Sequence, residues 1–219
     1  MKKINRLILL FTTMAVGILL TACDGYKGKK ERTLNLTAMD TYMSITCYGR
    51  EADEALDLAE YEIKRLDELW SVSNKDSEIY RINNGTDNLL SEDTIKILEK
   101  CRYIYGTTDG AFDVTIRPLV ELWGFESGRL YVPGDDEIKD KLALCGFDKI
   151  KMDYETITME SGMGLDFGGI AKGYTSDRLM AIFNEFDIEY AVVSLGGNVQ
   201  CYGCLLYTSP SPRDRQKSR

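Results

Sequence analysis

Three segments of the chain concentrate residues that chemistry uses. The first is Thr107-Thr108-Asp109-Gly110-Ala111-Phe112-Asp113. Small residues and glycine let backbone approach a ligand, Phe112 can pack on a ring, and Asp113 can accept hydrogen bonds from ring N–H groups. Taken alone, the segment is better explained as a helix-to-strand turn with Phe112 in the core. The second runs Leu165-Asp166-Phe167-Gly168-Gly169-Ile170-Ala171-Lys172-Gly173-Tyr174-Thr175-Ser176-Asp177. Here a carboxylate at a strand end precedes two glycines and a helix start that bears a lysine. Free N–H groups at a helix start attract phosphate, the glycines open access, and Lys172 adds a point charge. The segment matches neither G-x-x-x-x-G-K-[ST] nor G-x-G-x-x-G, so a glycine-rich packing turn fits it equally well. The third, Ser194-Leu195-Gly196-Gly197-Asn198, says less, because diglycine hairpins are common.

The elements that must hold these segments follow from hydrophobic period. Residues 33–48 alternate through Leu34, Leu36, Ala38, Met43, Ile45 and Cys47, with Met39-Asp40-Thr41 interrupting, which predicts two short strands or one kinked strand. Leu56, Ala59, Ile63, Leu66 and Trp70 recur at helical spacing and predict a helix over 51–70. Residues 71–85 read as a polar loop with a short turn near 77–83. Ser91 opens a second helix as N-cap, with Ile95, Leu98, Cys101 and Tyr105 inward and Gly106 as its stop. Pro118 is expected to break regular structure before Trp123-Gly124-Phe125, and residues 135–145 to form a helix that Gly146 ends. A hairpin pairs 149–152 with 156–159, a strand end at 165–169 feeds a helix over 170–185, and 190–195 is a buried strand. Strands and helices mix without a βαβ rhythm, so the fold class is α+β.

Composition bounds the rest. At 219 residues and 44% hydrophobic, the chain has ample material for one domain with a core. The net charge of −8 includes +3 from residues 1–22 and +3 from 204–219, which leaves −14 on 23–203. A body that acidic is a poor nucleic-acid binder. Any polyanionic ligand would need a local device such as a metal ion or a backbone nest. The chain has no histidine, which excludes histidine metal sites, a Ser-His-Asp triad and imidazole acid-base catalysis within it. Cys47, Cys101 and Cys145 lie singly on apolar faces and read as buried small hydrophobes rather than disulfide partners.

Both ends differ from the middle. Lys2, Lys3 and Arg6 precede an apolar run from Leu7 to Leu20, too short for a membrane span and suited to a signal peptide. Leu20-Thr21-Ala22-Cys23 resembles the lipobox of bacterial lipoproteins, so Cys23 is the expected lipidation site and residues 23–32 a polar tether. Residues 204–219 are basic, Pro/Ser-rich and without period. They read as the translation of a sequencing adapter carried into an open frame, against the alternative of a native disordered tail. The second cysteine of Cys201-x-x-Cys204 falls in that stretch, so the pair carries no redox or metal reading.

In this order and spacing, Thr-Asp-Gly-Ala-Phe-Asp-Val-Thr-Ile-Arg-Pro-Leu-Val-Glu-Leu-Trp-Gly-Phe (108–125), the Leu165–Asp177 segment and Gly196-Gly197-Asn198 resemble the ApbE family, the FAD:protein FMN transferases. Met39-Asp40-Thr41 looks like that family's Met-Gly-Thr motif, and Asp76-Ser77-Glu78 with Asn83 looks like its D-S-E…N stretch. The resemblance covers about 33–203. It implies a mainly antiparallel sheet with packed helices and an enzyme that uses Mg²⁺ to cleave FAD. Such an enzyme joins FMN to a Ser or Thr hydroxyl of a target protein and releases AMP.

By motif matching, Met39, Ser73, Ala111, Phe112, Asp113, Asp166 and Lys172 fall on flavin-binding positions, and Gly169 falls on a metal-meeting position through its carbonyl oxygen. The resemblance also implies acceptors among membrane electron-transfer complexes, quinone-reductase or Rnf-type subunits. With Cys23 it implies a lipid-anchored protein at the inner or plasma membrane, facing the periplasm or exterior. The family continues beyond Gly203 with further strands, a histidine-bearing segment, and an Asp and a Thr that complete the metal site. This chain is therefore expected to hold at most half a metal site and to be unstable and inactive unaided. The competing expectations are an FAD pyrophosphatase, which uses water as acceptor, and a non-catalytic flavin-binding lipoprotein.

Overall fold

The computed structural model describes residues 28–125, 128 and 131–203. The expected signal peptide, Cys23 and the 204–219 tail lie outside them. Strand β1 (Lys30–Ala38) and β2 (Thr41–Gly49) form a hairpin in which Met39 and Asp40 both take positive φ, 49° and 56°. That is the two-residue turn that matches strand twist, and it resolves the expectation of two strands or one kinked strand in favour of two. β1 begins at Lys30, so the last three residues of the expected tether belong to the sheet. Lys30 and Arg32 reach Asp53 there.

Helix α1 (Ala52–Trp70) carries the predicted apolar stripe, and Ala52, Ala55, Ala59, Ile63 and Leu66 are fully buried. After a short polar loop come α2 (Glu78–Asn83), where only a turn was expected, and α3 (Glu92–Thr107). Ser91 caps α3 as predicted, accepting from the Thr94 amide. Gly106 does not stop α3. The helix runs to Thr107 and ends where Asp109 and Gly110 turn left-handed, at φ 52° and 78°, with the Gly110 amide donating to the Tyr105 carbonyl. The inward face of α3 is Thr94, Ile97, Leu98 and Cys101, with Ile95 and Tyr105 only partly covered.

Pro118 starts structure rather than breaking it. It sits in the first turn of α4 (Arg117–Trp123), where no amide donor is needed, and left-handed Gly124 ends that helix. Helix α5 (Asp135–Leu142) stops short of the predicted Cys145. Residues 143–145 wind into tighter turns, and Lys149 Nζ caps the Ala143 and Cys145 carbonyls at 2.7 and 2.6 Å. A small hairpin of β3 (Lys151–Asp153) and β4 (Thr156–Thr158) follows. Then come α6 (Ala171–Glu185), β5 (Ile188–Leu195) and β6 (Asn198–Gly203).

The main sheet is antiparallel in the order β1-β2-β5-β6. Its register pairs Met43 with Leu195, Ile45 with Val193 and Cys47 with Ala191, six side chains on one buried face. α1 and α6 cover that face through Ile63, Leu179 and Phe183. A second core gathers Trp70, Ile79, Ile97, Phe147, Leu165 and Phe167. Met39 packs against both cores, at the seam between them. The α+β expectation holds. Among the described residues no helix is long and apolar enough to cross a membrane.

Candidate functional site

The seam opens into a cleft of about 300 Å³. Of the sequence-predicted residues, Met39, Ser73, Asp166 and Lys172 line it, with Asp67, Trp70 and Gly168 beside them. A larger cleft of about 840 Å³, between residues 82–88 and 157–163, holds none of the predicted residues. Chemistry, not size, selects the first.

Each wall has a local cause. Met39 stands at the hairpin tip, its amide donating to the Asp67 carboxylate and its Sδ 3.9 Å from Thr175 Oγ1. Gly196, at φ 56°, lies directly beneath Thr41, where any Cβ would overlap that side chain. Asn198 donates to Ser176 Oγ at 2.7 Å, and Ser176 donates to the Lys172 carbonyl at 3.0 Å. The Gly-Gly-Asn motif is thus a spacer and a clamp. It seats the β1–β2 turn and ties the last hairpin to the first turns of α6.

Asp166 does not sit on a strand, contrary to expectation. Residues 164–169 pair with no sheet and are held by single bonds instead. The Asn83 carboxamide donates to the Leu165 carbonyl at 2.8 Å and accepts from the Leu165 amide at 2.7 Å. The next amide, that of Asp166, donates to the Val114 carbonyl at 2.8 Å. The Asp166 carboxylate accepts from Gly168 N at 2.8 Å, and its other oxygen lies 3.8 Å from Arg117 Nη1.

Ala111, Phe112 and Asp113 are not among the residues lining the cleft; they stand at its flank. Asp113 Oδ1 accepts from Thr115 N and Oγ1 at 2.8 and 2.7 Å, capping the 3-10 turn at Val114–Ile116. Phe112 is half-buried against the second core, and a Cβ on Gly169 would come within 3.2 Å of its ring. The flank therefore meets the second motif through Phe112 with Gly169 and through Val114 with Asp166. Ala111 is exposed.

Sequence reasoning missed Asp67. Burial pushes its carboxyl above the usual range, the Met39 amide pulls it partly back, and Asp40 and Glu68 add to the rise. The signal was present: Asp67 is three residues before Trp70, on the stripe already read as inward. The Asp-Ser-Glu…Asn stretch also proves architectural. Ser77 caps α2 and donates to the Ser71 carbonyl, while both Glu78 carboxylate oxygens accept from the Ser91 amide at 3.1 Å.

For a cation the fit is incomplete. Gly169 is exposed and offers only its backbone carbonyl, and among the described residues no group of three or more His, Cys, Asp or Glu side chains could hold a metal ion.

The ApbE family model matches residues 39–212, a span that continues past Gly203, where sequence alone placed the end of the domain. The FAD:protein FMN transferase of Klebsiella pneumoniae (strain 342) is 32% identical over 158 residues, 69% of this chain and 50% of that protein. The FAD:protein FMN transferase of Vibrio cholerae is 30% identical over 64% of this chain and 44% of that protein. The chain spans about half the length of these curated relatives. Among solved structures, the ApbE protein of Thermotoga maritima superposes with a TM-score of 0.73 at 29% identity, over 80% of this chain and 59% of that one. The flavin transferase ApbE of Vibrio cholerae gives 0.73 at 26% identity, over 80% and 60%.

Proposed function

Because the chain belongs to the ApbE family, we propose that it is the flavin-holding part of an FAD:protein FMN transferase. The observation that carries this reading is the convergence of Met39, Ser73 and the Asp166–Lys172 segment on one cleft from three separate stretches of sequence. In the proposed reaction a Ser or Thr hydroxyl of an acceptor protein attacks the FMN phosphorus of FAD. The pyrophosphate bond breaks, AMP leaves, and the hydroxyl proton is lost to solvent or a base.

This chain's residues bind and orient. Lys172, in the first turn of α6, brings positive charge to a phosphate placed at that helix start. Asp166, with one oxygen already fixed by Gly168 N, presents a carboxylate to the donors of the flavin ring. Phe112 and Trp70 supply aromatic surface at the flank and wall. The Mg²⁺ requirement is part of the proposal on the resemblance alone, since the described residues form no cluster of three carboxylates that could hold the ion. Acceptors in membrane electron-transfer complexes, and anchoring through Cys23, complete the proposal. Incorporation of labelled fatty acid at Cys23 in a bacterial host tests the anchor, and a Cys23→Ala chain that still takes up label would refute it.

Flavin binding is tested on this chain by quenching of FAD fluorescence. Saturable quenching, weakened at least tenfold by Asp166→Ala or Lys172→Ala, supports the reading, whereas absence of any FAD binding sinks it. The fate of the flavin is read in a protein in which residues 33–203 replace the matching half of the Klebsiella relative, with FAD, Mg²⁺ and an acceptor subunit. Covalent flavin on the acceptor supports transfer. Free FMN with AMP would make it a pyrophosphatase, and binding with neither product a flavin carrier.

A further inference from the structure

The residue next to the flavin-facing carboxylate is held in an unusual way. Residues 164–167 belong to no sheet, so their backbone groups lack the ladder that fixes an ordinary strand. A side chain 82 positions earlier substitutes for it. Asn83, the last residue of α2, turns its carboxamide edge-on to the Leu165 peptide unit and makes both bonds a neighbouring strand would make, at 2.7 and 2.8 Å.

The surroundings are shaped for that contact. Gly164 has no side chain, and a Cβ there would meet Arg117 Cγ at 2.9 Å and Asn83 Oδ1 at 3.4 Å. On the far side the Asp166 amide is tied to Val114. Leu165 is completely buried, so its peptide cannot turn to water if the clamp is lost. α2 is itself fixed by Ser77 at its start and by Glu78 on Ser91, so Asn83 is a rigid arm.

We propose that Asn83 is a positioning residue for Asp166: its carboxamide closes a two-bond ring on the Leu165 peptide and thereby sets the direction of the carboxylate one residue on. The inference rests on the flavin-binding reading of Asp166. The clamp itself is a claim about this chain and is tested separately.

Asn83→Leu removes both bonds at similar size, and Asn83→Asp keeps the acceptor for the Leu165 amide while losing the donor. Amide hydrogen exchange on the full chain is the first readout. In Asn83→Leu the amides of Leu165 to Gly168 should exchange at least about tenfold faster, the scale of one ordinary hydrogen bond, while α1 and β5 amides keep their protection. Asn83→Asp should fall between. Loss of protection spread evenly over both cores would mean a merely structural residue, and unchanged exchange would mean no clamp; either overturns the proposal.

The second readout is a double-mutant cycle on FAD affinity. Asn83→Leu should weaken binding about tenfold in the wild-type background and hardly at all in Asp166→Ala, because the arm then has nothing to aim. Equal losses in both backgrounds would refute positioning. If the wild-type chain binds no FAD, the functional reading fails, and the exchange experiment alone decides whether the clamp exists.

Discussion

Tyr174 donates its hydroxyl to Asp93 at 2.8 Å while its ring stands edge-on to Trp70, the centroids 5.2 Å apart. Asp93 belongs to α3, Tyr174 to α6, and Trp70 ends α1 at the wall of the cleft, so one phenol joins three helices. Trp70 Nε1 in turn donates to Thr94 Oγ1 at 3.0 Å, and its other edge meets Phe167 at 5.7 Å. The aromatic wall of the site is fixed from behind by polar bonds.

Tyr174→Phe keeps the ring and loses the bond to Asp93, and should cost about 1 kcal/mol in urea unfolding. Tyr174→Ala also empties the space beside Trp70 and should cost about 3–5 kcal/mol. Equal effects of the two variants would show that the hydroxyl does all the work and the ring none.

Glu62 is buried and receives both Arg65 Nε and Arg178 Nε, at 2.9 and 2.8 Å, and Arg65 continues to Asp93. Burial opposes the charges on Glu62 and Asp93, yet the hydrogen bonds to Glu62 from the two arginines, and to Asp93 from Tyr174 and Arg65, hold both carboxyls below their usual values. A depressed folded value means stability that is present above the unfolded pKa and lost as pH falls through the folded one. Thermal stability should therefore drop in the acid range below about pH 4.5, the unshifted Glu value. Glu62→Gln should cost about 2–3 kcal/mol at pH 7, below the figure for a fully buried pair because both arginines keep some solvent. An unchanged melting temperature would refute this.

Asp67 has the opposite sign. Its folded value is raised by burial, so the folded state binds its proton more tightly and charge on Asp67 costs stability as pH rises above the usual Asp value. Asp67→Asn keeps an acceptor for the Met39 amide and removes the buried charge. The variant should melt at or above the wild-type temperature at pH 7 and lose that part of the pH dependence; a lower melting temperature would contradict it.

Gly196→Ala must adopt φ 56° and place a methyl group against Thr41. The backbone conformation alone costs a non-glycine residue about 1–2 kcal/mol, and the overlap adds to it. The damage should appear at the β1–β2 turn as well as at the last hairpin. Exchange of the Tyr42 and Met43 amides checks that.

Burial pushes the Cys47 thiol up to about 11 and Cys101 up to about 12, and both are free. Neither should react with iodoacetamide at pH 8 in the folded protein, whereas exposed Cys201 should. Peptide mass spectrometry before and after unfolding reads the difference.

Element types were legible where one period dominates. The stripe from Leu56 to Trp70 gave α1, and the alternation of Met43, Ile45 and Cys47 gave β2, because one face of each had to be buried. Ends were less legible. Gly106 and Pro118 were read by type, but left-handed Asp109 and Gly110 do the stopping, and Pro118 falls in a first turn where its missing amide costs nothing.

Four of the seven flavin-position residues meet in the cleft, and local sequence could not have said which. Met39, Ser73, Asp166 and Lys172 are brought together by the sheet register and by α1 packing against α6, contacts between residues far apart in the chain. What the sequence determined by itself was the kind of protein: its α+β class, its family and the motifs that carry it, all set by local periodicity and by residues at fixed spacing. Only the tertiary structure decided that Asn83 serves as the missing neighbour of Leu165 and that Ala111 to Asp113 form a flank. Those facts depend on which distant peptide or side chain completes a buried polar group, and nothing in the local sequence encodes that partner.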